Sequence, residues 1–275
     1  MSYARSRWVV MSVSLCAASL CAIACDDPPK TEAKPAETAA AAPAPTPSPA
    51  APKAEDKPKA EDKPKAAKKQ LADCPKGPAV TFDQKAVEDE VRRKLPKPTG
   101  DITVADLKKL KSFNMSQVKG LEQLDVCIFS HMTGLKELFL GEGTFDDLSP
   151  IEAATNLESL RASINQVSDL KPLSKLKKLD RLDLGRTQVK DVAPLAELTA
   201  LTELQLDGTQ VEDIAPLAKL TLLETLSLKG TKVKDLSPLN GLKKLKSVDG
   251  RDTPADEDPM NFAQLRGRGV KIVNQ

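Results

Sequence analysis

Five cysteines and one histidine carry the most reactive side chains of this 275-residue chain. The histidine, His131, has no second imidazole with which to share a metal ion, and no two cysteines have the Cys-x-x-Cys spacing of a zinc site. A Ser-His-Asp site, a Cys-His site and a zinc cluster are therefore disfavoured. We expect no catalytic residues, no metal and no cofactor, and we interpret His131 as a surface or capping residue.

Two other patterns approach those of ligand-binding loops without meeting their requirements. Acidic residues cluster at Asp249, Asp252, Asp256, Glu257 and Asp258 but lack the alternating Asp-x-Asp-x-Asp-Gly order of a calcium loop. The pair Gly141-x-Gly143 has no following lysine of a phosphate loop and predicts a turn. With 41 basic and 39 acidic residues, the net charge of +2 gives no reason to expect nucleic acid as a partner.

Cys25 stands at the end of a secretory signal pattern. Residues 1–24 begin with Arg5 and Arg7, continue through an apolar run and end in small residues. The sequence Ala22-Ile23-Ala24-Cys25 resembles the lipobox of bacterial lipoproteins, which implies cleavage before Cys25 and lipid attachment to its thiol. The resemblance places the chain in the bacterial cell envelope, anchored to the inner or outer membrane. An ordinary signal peptide, or a leader retained as an anchor, remains an alternative.

Residues 25–70 have the composition of a tether. From residue 26 to residue 70 there is no Leu, Ile, Val or aromatic side chain, and Lys53–Pro58 recurs at once as Lys59–Pro64. Such proline-rich, charged sequence cannot build a core and favours extended conformers. We predict a disordered spacer that holds the following domain away from the membrane.

A 22-residue repeat dominates the remaining sequence. Leucines recur at residues 135, 157, 179, 201, 223 and 245. The units that begin at Leu179, Leu201 and Leu223 contain Leu-x-x-Leu-x-Leu, which predicts a short strand. Apolar residues three apart follow, and they favour a short helical return. No unit could bury its leucines alone, so stacked units with a parallel sheet are expected.

The return segments carry a second motif, Asp-x-x-Pro followed by Leu or Ile. It occurs five times in register, with aspartates at residues 147, 169, 191, 213 and 235. These units resemble the leucine-rich repeat family in its 22-residue, internalin-like bacterial form. The resemblance implies an α/β solenoid: a right-handed superhelix with a parallel β-sheet on its concave face. We expect each proline at the first position of a helical turn.

The family usually has asparagine where the strand turns away, and this position is varied here. Only Asn165 keeps the asparagine, whereas the other units carry Gly143, Thr187, Thr209 and Thr231. Because a threonine hydroxyl can still accept and donate, we predict a shortened hydrogen-bond ladder.

Caps are predicted at both ends of the repeats, at residues 71–110 and 251–275, with the repeats themselves at 111–250. At the first end, Asp83 is expected to cap a helix that runs to about Leu95, and Thr103 with Asp106 to form a capping box. At the other end, Asp258-Pro259 should open a helix that Gly267 ends, followed by a final strand over residues 270–273.

Cys74 and Cys127 are the two cysteines outside the leader region. In an exported protein they favour a disulfide that joins the N-terminal cap to the first repeat. Alternatively, Cys127 is a buried thiol in the apolar run of residues 126–129.

The outward positions between the strand leucines form two mainly polar columns on the sheet. The candidate binding residues there are Phe139, Arg161, Arg181, Asp183, Glu203 and Gln205. Since both Trp8 and Tyr3 lie in the leader, stacking on sugars or bases is disfavoured, and we expect a protein or peptide partner. We therefore predict a monomeric, lipid-anchored binding module and no enzyme. The alternative is a structural envelope protein that links the membrane to the cell wall through its tether.

Overall fold

The computed structural model describes residues 69–118 and 121–274. The leader, Cys25 and all of the tether except its last two residues lie outside the described residues.

Eight three-residue strands form one parallel sheet whose strand order follows the chain. They are β1 (Ser112–Asn114), β2 (Glu137–Phe139), β3 (Ser159–Arg161), β4 (Arg181–Asp183), β5 (Glu203–Gln205), β6 (Thr225–Ser227), β7 (Ser247–Asp249) and β8 (Lys271–Val273). This arrangement confirms the predicted α/β solenoid. The step from β1 to β2 is 25 residues, and each step from β2 to β7 is 22.

The core is the stack of central strand residues and return leucines. Leu160, Leu182, Leu204 and Leu226 pair in register along the sheet, and each is almost fully buried. Because adjacent units superimpose these side chains, every unit covers its neighbour's apolar surface. The prediction that the stacked leucines are the core is confirmed.

Short 3₁₀ helices connect the strands from β2 to β7. They are Ser149–Ile151, Lys171–Lys175, Ala193–Glu197, Ala215–Lys219 and Ser237–Gly241. The expectation that proline opens each of them is wrong by one position, since proline is the second residue. The conserved spacing of the motif has a local cause: in each unit the aspartate Oδ1 accepts a hydrogen bond from the backbone N–H two residues later, at 2.8 to 2.9 Å.

This aspartate acts as a cap on the return. At Asp235, the backbone N–H and the hydroxyl of Ser237 keep the pKa of the carboxyl below its ordinary value. The proline that follows then costs no hydrogen bond, because N–H groups in the first turn of a helix have no partner within it.

The prediction that the threonines keep a shortened ladder is wrong, because their hydroxyls make no bond between units. The hydroxyls of Thr187, Thr209 and Thr231 each donate to the carbonyl three residues earlier, at 2.7 Å, and so stay within their own unit. Asn165 reaches further, since its Nδ2 donates to the Gly141 carbonyl at 3.0 Å and its Oδ1 accepts from the Phe145 N–H at 3.2 Å. The hydroxyl of Thr253, a residue that the sequence analysis did not identify, likewise donates to the carbonyl three residues earlier, that of Gly250.

The N-terminal cap contains a 3₁₀ turn (Leu71–Asp73) and two helices, α1 (Lys85–Lys94) and α2 (Val104–Leu107). A third helix, α3 (Val126–Phe129), follows β1 in the first, irregular repeat. The expectation that Asp83 caps α1 is wrong: Gln84 occupies the cap position without a side-chain hydrogen bond, and the Asp83 carboxylate pairs with Lys69. The capping box of Thr103 and Asp106 is confirmed.

Asp106 is also a charge centre of the cap. Hydrogen bonds from Lys97, Lys109 and Thr103 hold the pKa of its carboxyl well below its usual range. A nearby contact joins the cap to the repeats, because the structure brings Cys74 and Cys127 together as a disulfide with a Cα–Cα distance of 5.3 Å.

The C-terminal cap consists of a 3₁₀ turn (Pro254–Glu257), the helix α4 (Pro259–Gly267) and β8. Asp258 caps α4 by accepting a hydrogen bond from the Met260 N–H at 2.9 Å. Gly267 is the last helical residue, and Gly269, at a φ of +81°, makes the turn into β8. The final strand therefore pairs with β7 as predicted.

Candidate functional site

The register of the sheet aligns the outward side chains into the two predicted columns. One column contains Phe139, Arg161, Asp183 and Gln205, and the other contains Glu137, Ser159, Arg181 and Glu203. The structure places all six candidate residues around one depression of about 280 Å³. We call these six residues, Phe139, Arg161, Arg181, Asp183, Glu203 and Gln205, the sheet patch.

Arg161 is held in place from two sides within the sheet patch. Its Nε lies 3.2 Å from a carboxylate oxygen of Asp183, and its guanidinium carbon lies 5.6 Å from the centre of the Phe139 ring. The Arg161 side chain nevertheless remains 58% exposed. The arrangement presents an exposed cation that contacts side chains of both neighbouring strands.

Asp183 has several further partners. The Ser163 hydroxyl donates to its carboxylate at 3.2 Å, and the backbone N–H of Gly185 donates at 3.0 Å. These donors, together with Arg161, occupy the carboxylate of Asp183.

Arg181 is held more loosely than Arg161. Its nearest acidic oxygen belongs to Asp180, the preceding residue, and lies 3.8 Å from Nε of Arg181. Glu203 instead accepts a hydrogen bond from Nε2 of Gln205 at 2.8 Å. The sheet patch therefore contains one cation paired with Asp183, one loosely paired cation and two carboxylates that already have partners.

The other residues singled out by their chemistry lie apart from the sheet patch or serve the backbone. His131 is half-buried beside the Cys74–Cys127 disulfide. Asp249 pairs with Arg251 at 2.7 Å, and Asp258 caps α4. Among residues 69–118 and 121–274, no cluster of His, Cys, Asp and Glu side chains could hold a metal ion.

A row of residues beyond the sheet patch escaped the sequence analysis. Three positions after a strand ends, the backbone adopts a positive φ in five successive units, at Ile164, Arg186, Gly208, Gly230 and Asp252. The sequence signal for this row is the pair Gly208 and Gly230, 22 residues apart, since glycine favours a positive φ. We call these five residues the rim row.

The stacked strand-and-return units, with their leucine core and a broad polar sheet face, define a solenoid of the protein-interaction class. Residues 155–197 and 199–241 match the family model described as leucine-rich repeats in two copies. These two segments therefore consist of leucine-rich repeats.

Solved structures of similar fold include two internalins of Listeria monocytogenes. Internalin C2 is 25% identical, with a TM-score of 0.57, and the match covers 70% of this chain and 94% of that one. A second internalin is 21% identical, with a TM-score of 0.54, over 70% of each chain. A search of curated proteins finds no match to this sequence. Within the described ranges, no helix is both long and apolar enough to span a bilayer.

Proposed function

We propose that this chain is an exported, lipid-anchored protein-binding module. Its sheet patch contacts a protein or peptide partner, with Phe139, Arg161, Arg181, Asp183, Glu203 and Gln205 as the contact residues. The observation that carries the proposal is the position of Arg161, an exposed cation in contact with both Asp183 and Phe139.

Bracing of this kind favours binding over mere solubility. An exposed arginine without contacts loses side-chain freedom when it binds, and this loss opposes association. Because Arg161 is already held, less freedom remains to be lost. Arginine and aromatic residues are also the types that contribute most to protein interfaces.

The sheet patch offers little for catalysis. A general acid or base must exchange a proton with a substrate, yet Asp183 accepts hydrogen bonds from Ser163 and Gly185 besides its ion pair with Arg161. Glu203 likewise accepts a hydrogen bond from Gln205. We therefore propose a binding role and no enzymatic one.

Anchoring is the part of the proposal that rests on sequence alone. The leader (1–24), the lipid site at Cys25 and the tether (25–70) would hold the repeats in the bacterial cell envelope. Two or three acyl chains on Cys25 would give stable attachment, since a single chain holds a protein only marginally. The repeat domain would act as a monomer at the end of this tether.

The proposal is tested by reversing the two arginines of the sheet patch. Arg161→Glu combined with Arg181→Glu should leave the fold intact, because both side chains point away from the leucine core. The immobilised variant should lose the partner that the wild-type domain captures from envelope extracts, with a loss of at least about 1 to 2 kcal/mol of binding free energy.

Two controls make this result interpretable. Leu182→Asp places an unpaired charge in the core and should unfold the neighbouring units. Its circular dichroism spectrum shows what a misfolded variant looks like, for comparison with the double arginine variant. Deleting residues 26–70 should leave capture unchanged. If the double arginine variant folds and captures every partner as the wild type does, the sheet patch is not the interface. Loss of function on tether deletion alone would favour the structural envelope role.

A further inference from the structure

A groove lies where the N-terminal cap meets the first regular return. It consists of two adjacent depressions of about 340 and 740 Å³. Helices α1 and α3 and the 3₁₀ helix Ser149–Ile151 contribute side chains to it. The residues that line both depressions are Lys69, Val126, Asp147, Ser149 and Pro150. We call this feature the cap groove, and none of its residues belongs to the sheet patch.

The floor of the smaller depression is apolar. It is lined by five side chains of the hydrophobic core that are each more than nine-tenths buried, Val87, Leu121, Leu124, Ile128 and Phe129. An aliphatic chain that packs on this floor would remove further apolar surface from water, which is favourable.

The rim of the smaller depression is acidic. Four carboxylates line it, those of Asp83, Glu122, Asp125 and Asp147, against a single cation. Asp125 also accepts a hydrogen bond from the backbone N–H of Cys127. Glu122 is exposed and has no ion pair among the residues that the structure describes. The cap groove therefore combines an apolar floor with an excess of negative charge.

The single cation, Lys69, shows what kind of side chain the cap groove accepts. Its ammonium pairs with Asp83 and lies 3.7 Å from a carboxylate oxygen of Asp125. The hydrogen bond to Asp83 raises the pKa of this ammonium above its ordinary value. A lysine side chain suits such a border, because its aliphatic stem packs on apolar surface while its charged end stays among acidic groups.

The sequence immediately before Lys69 offers more side chains of this kind. Residues 63–68 read Lys-Pro-Lys-Ala-Ala-Lys, with three lysines and no acidic residue, and they lie outside the described residues. At about 3.1 Å per residue, six extended residues span about 19 Å. Because they are joined to Lys69, their effective concentration at the cap groove is far above that of a basic segment from another protein.

We propose that residues 63–68 dock along the cap groove, with their lysine stems on the apolar floor and their ammonium groups at the acidic rim, Glu122 included. One exposed ion pair contributes little, so docking depends on several pairs and the packing of the stems together. The last part of the tether is then a strap on the repeat domain, and the free spacer ends near residue 62. This contact is independent of the proposed function, because it involves neither the sheet patch nor the lipid.

The first test is limited trypsin digestion of the protein with its tether intact. Trypsin cleaves after lysine unless proline follows, so Lys65 and Lys68 report on the strap, whereas Lys53 and Lys59 report on the spacer. Docking should slow cleavage at the two strap lysines at least about threefold relative to the two spacer lysines, since cleavage follows the population of the open form. Equal rates would show that the segment is free and would overturn the proposal.

The second test neutralises the rim. Asp83→Asn with Glu122→Gln removes two rim charges, creates no trypsin site and leaves the backbone hydrogen bonds of Asp125 and Asp147 in place. In this variant the strap lysines should be cleaved as fast as the spacer lysines. The matched control is Glu142→Gln with Glu257→Gln, two exposed carboxylates outside the cap groove, which should keep the protection. Protection that survives loss of the rim charges would contradict docking at this groove.

The third test identifies the contact directly and does not depend on a variant that folds. A water-soluble carbodiimide joins an amine to a carboxylate in contact with it as an amide, with loss of one water. Mass spectrometry of the wild-type protein should find Lys65 or Lys68 joined to Glu122. Cross-links from these lysines only to carboxylates outside the cap groove would overturn the proposal. So would cross-links that join labelled to unlabelled chains in an isotope mixture, because the segment would then occupy a second copy.

Discussion

At the scale of single residues, the position after each strand shows how one substitution changes the reach of a hydrogen bond. Asn165 connects its own unit to the preceding one through the Gly141 carbonyl and the Phe145 N–H. Thr187, one unit later, bonds only to Leu184 within its own unit. The amide is longer and carries its donor and its acceptor on separate atoms, so asparagine can bridge units where the shorter hydroxyl does not.

This difference predicts that removing the Asn165 amide lowers the free energy of unfolding more than removing the Thr187 hydroxyl does. Asn165→Ala leaves two buried backbone groups without partners, and it should lower the free energy of unfolding by about 2 kcal/mol or more. Thr187→Val keeps the shape of the side chain and loses one hydrogen bond, so it should cost about 1 kcal/mol. Urea denaturation of both variants measures the difference, and equal costs would contradict the bridging role of Asn165.

At the scale of elements, the N-terminal cap is attached to the repeats by a shared core and by a covalent link. Val91 and Leu107 of the cap are fully buried in the same hydrophobic cluster as the repeat leucines. Cys74 precedes α1, and Cys127 lies in α3, beside the first regular units. Lys69 adds a pairing to Asp83 and another, at 3.7 Å, to Asp125. Because exposed ion pairs contribute little to stability, the shared core and the link between the cysteines should carry most of the attachment.

Removing that link should therefore loosen the cap. The variant Cys74→Ala with Cys127→Ala opens a loop that spans 53 residues in sequence, and it should lower the free energy of unfolding by about 2 to 4 kcal/mol. Thermal unfolding measures the loss, and wild-type protein treated with a reductant is the matched control. Insensitivity of the wild type to the reductant would show that the two thiols are not joined.

The elements also show how far sequence alone reaches. The 22-residue period was sufficient to predict β2 to β7, their register and the six residues of the sheet patch, because identical spacing forces identical packing. The cap was less predictable: Asp83 satisfies the rule for a helix cap, yet its carboxylate is occupied by Lys69, fourteen residues away. The conformation of Ile164 was missed because backbone strain leaves no apolar pattern, and only the glycines in neighbouring units indicate it.

At the scale of the whole molecule, each unit depends only on its neighbours. Every strand from β2 to β7 pairs with the strands immediately before and after it in sequence. Such a solenoid lacks contacts between distant units, so its stability is close to a sum of unit and interface contributions. The caps matter because they cover the two ends where a unit has one neighbour instead of two.

The anchor belongs to this scale as well, since it would determine where the solenoid acts. Cys25→Ser should abolish labelling by radioactive palmitate and release the protein from the membrane fraction, because the thiol is the predicted acylation site. Cys74→Ser serves as a control that should keep the label. A mature N-terminus at any residue other than 25 would contradict the lipoprotein assignment.

The in-register sheet also affects how such a protein can change over evolutionary time. Leu182, Leu204 and Leu226 follow one another at the same interval and occupy equivalent places. Loss or duplication of a 22-residue segment would therefore join two compatible surfaces, and the remaining units would keep their packing. The face available to a partner can lengthen or shorten in steps of one strand, about 4.8 Å each, without a new fold.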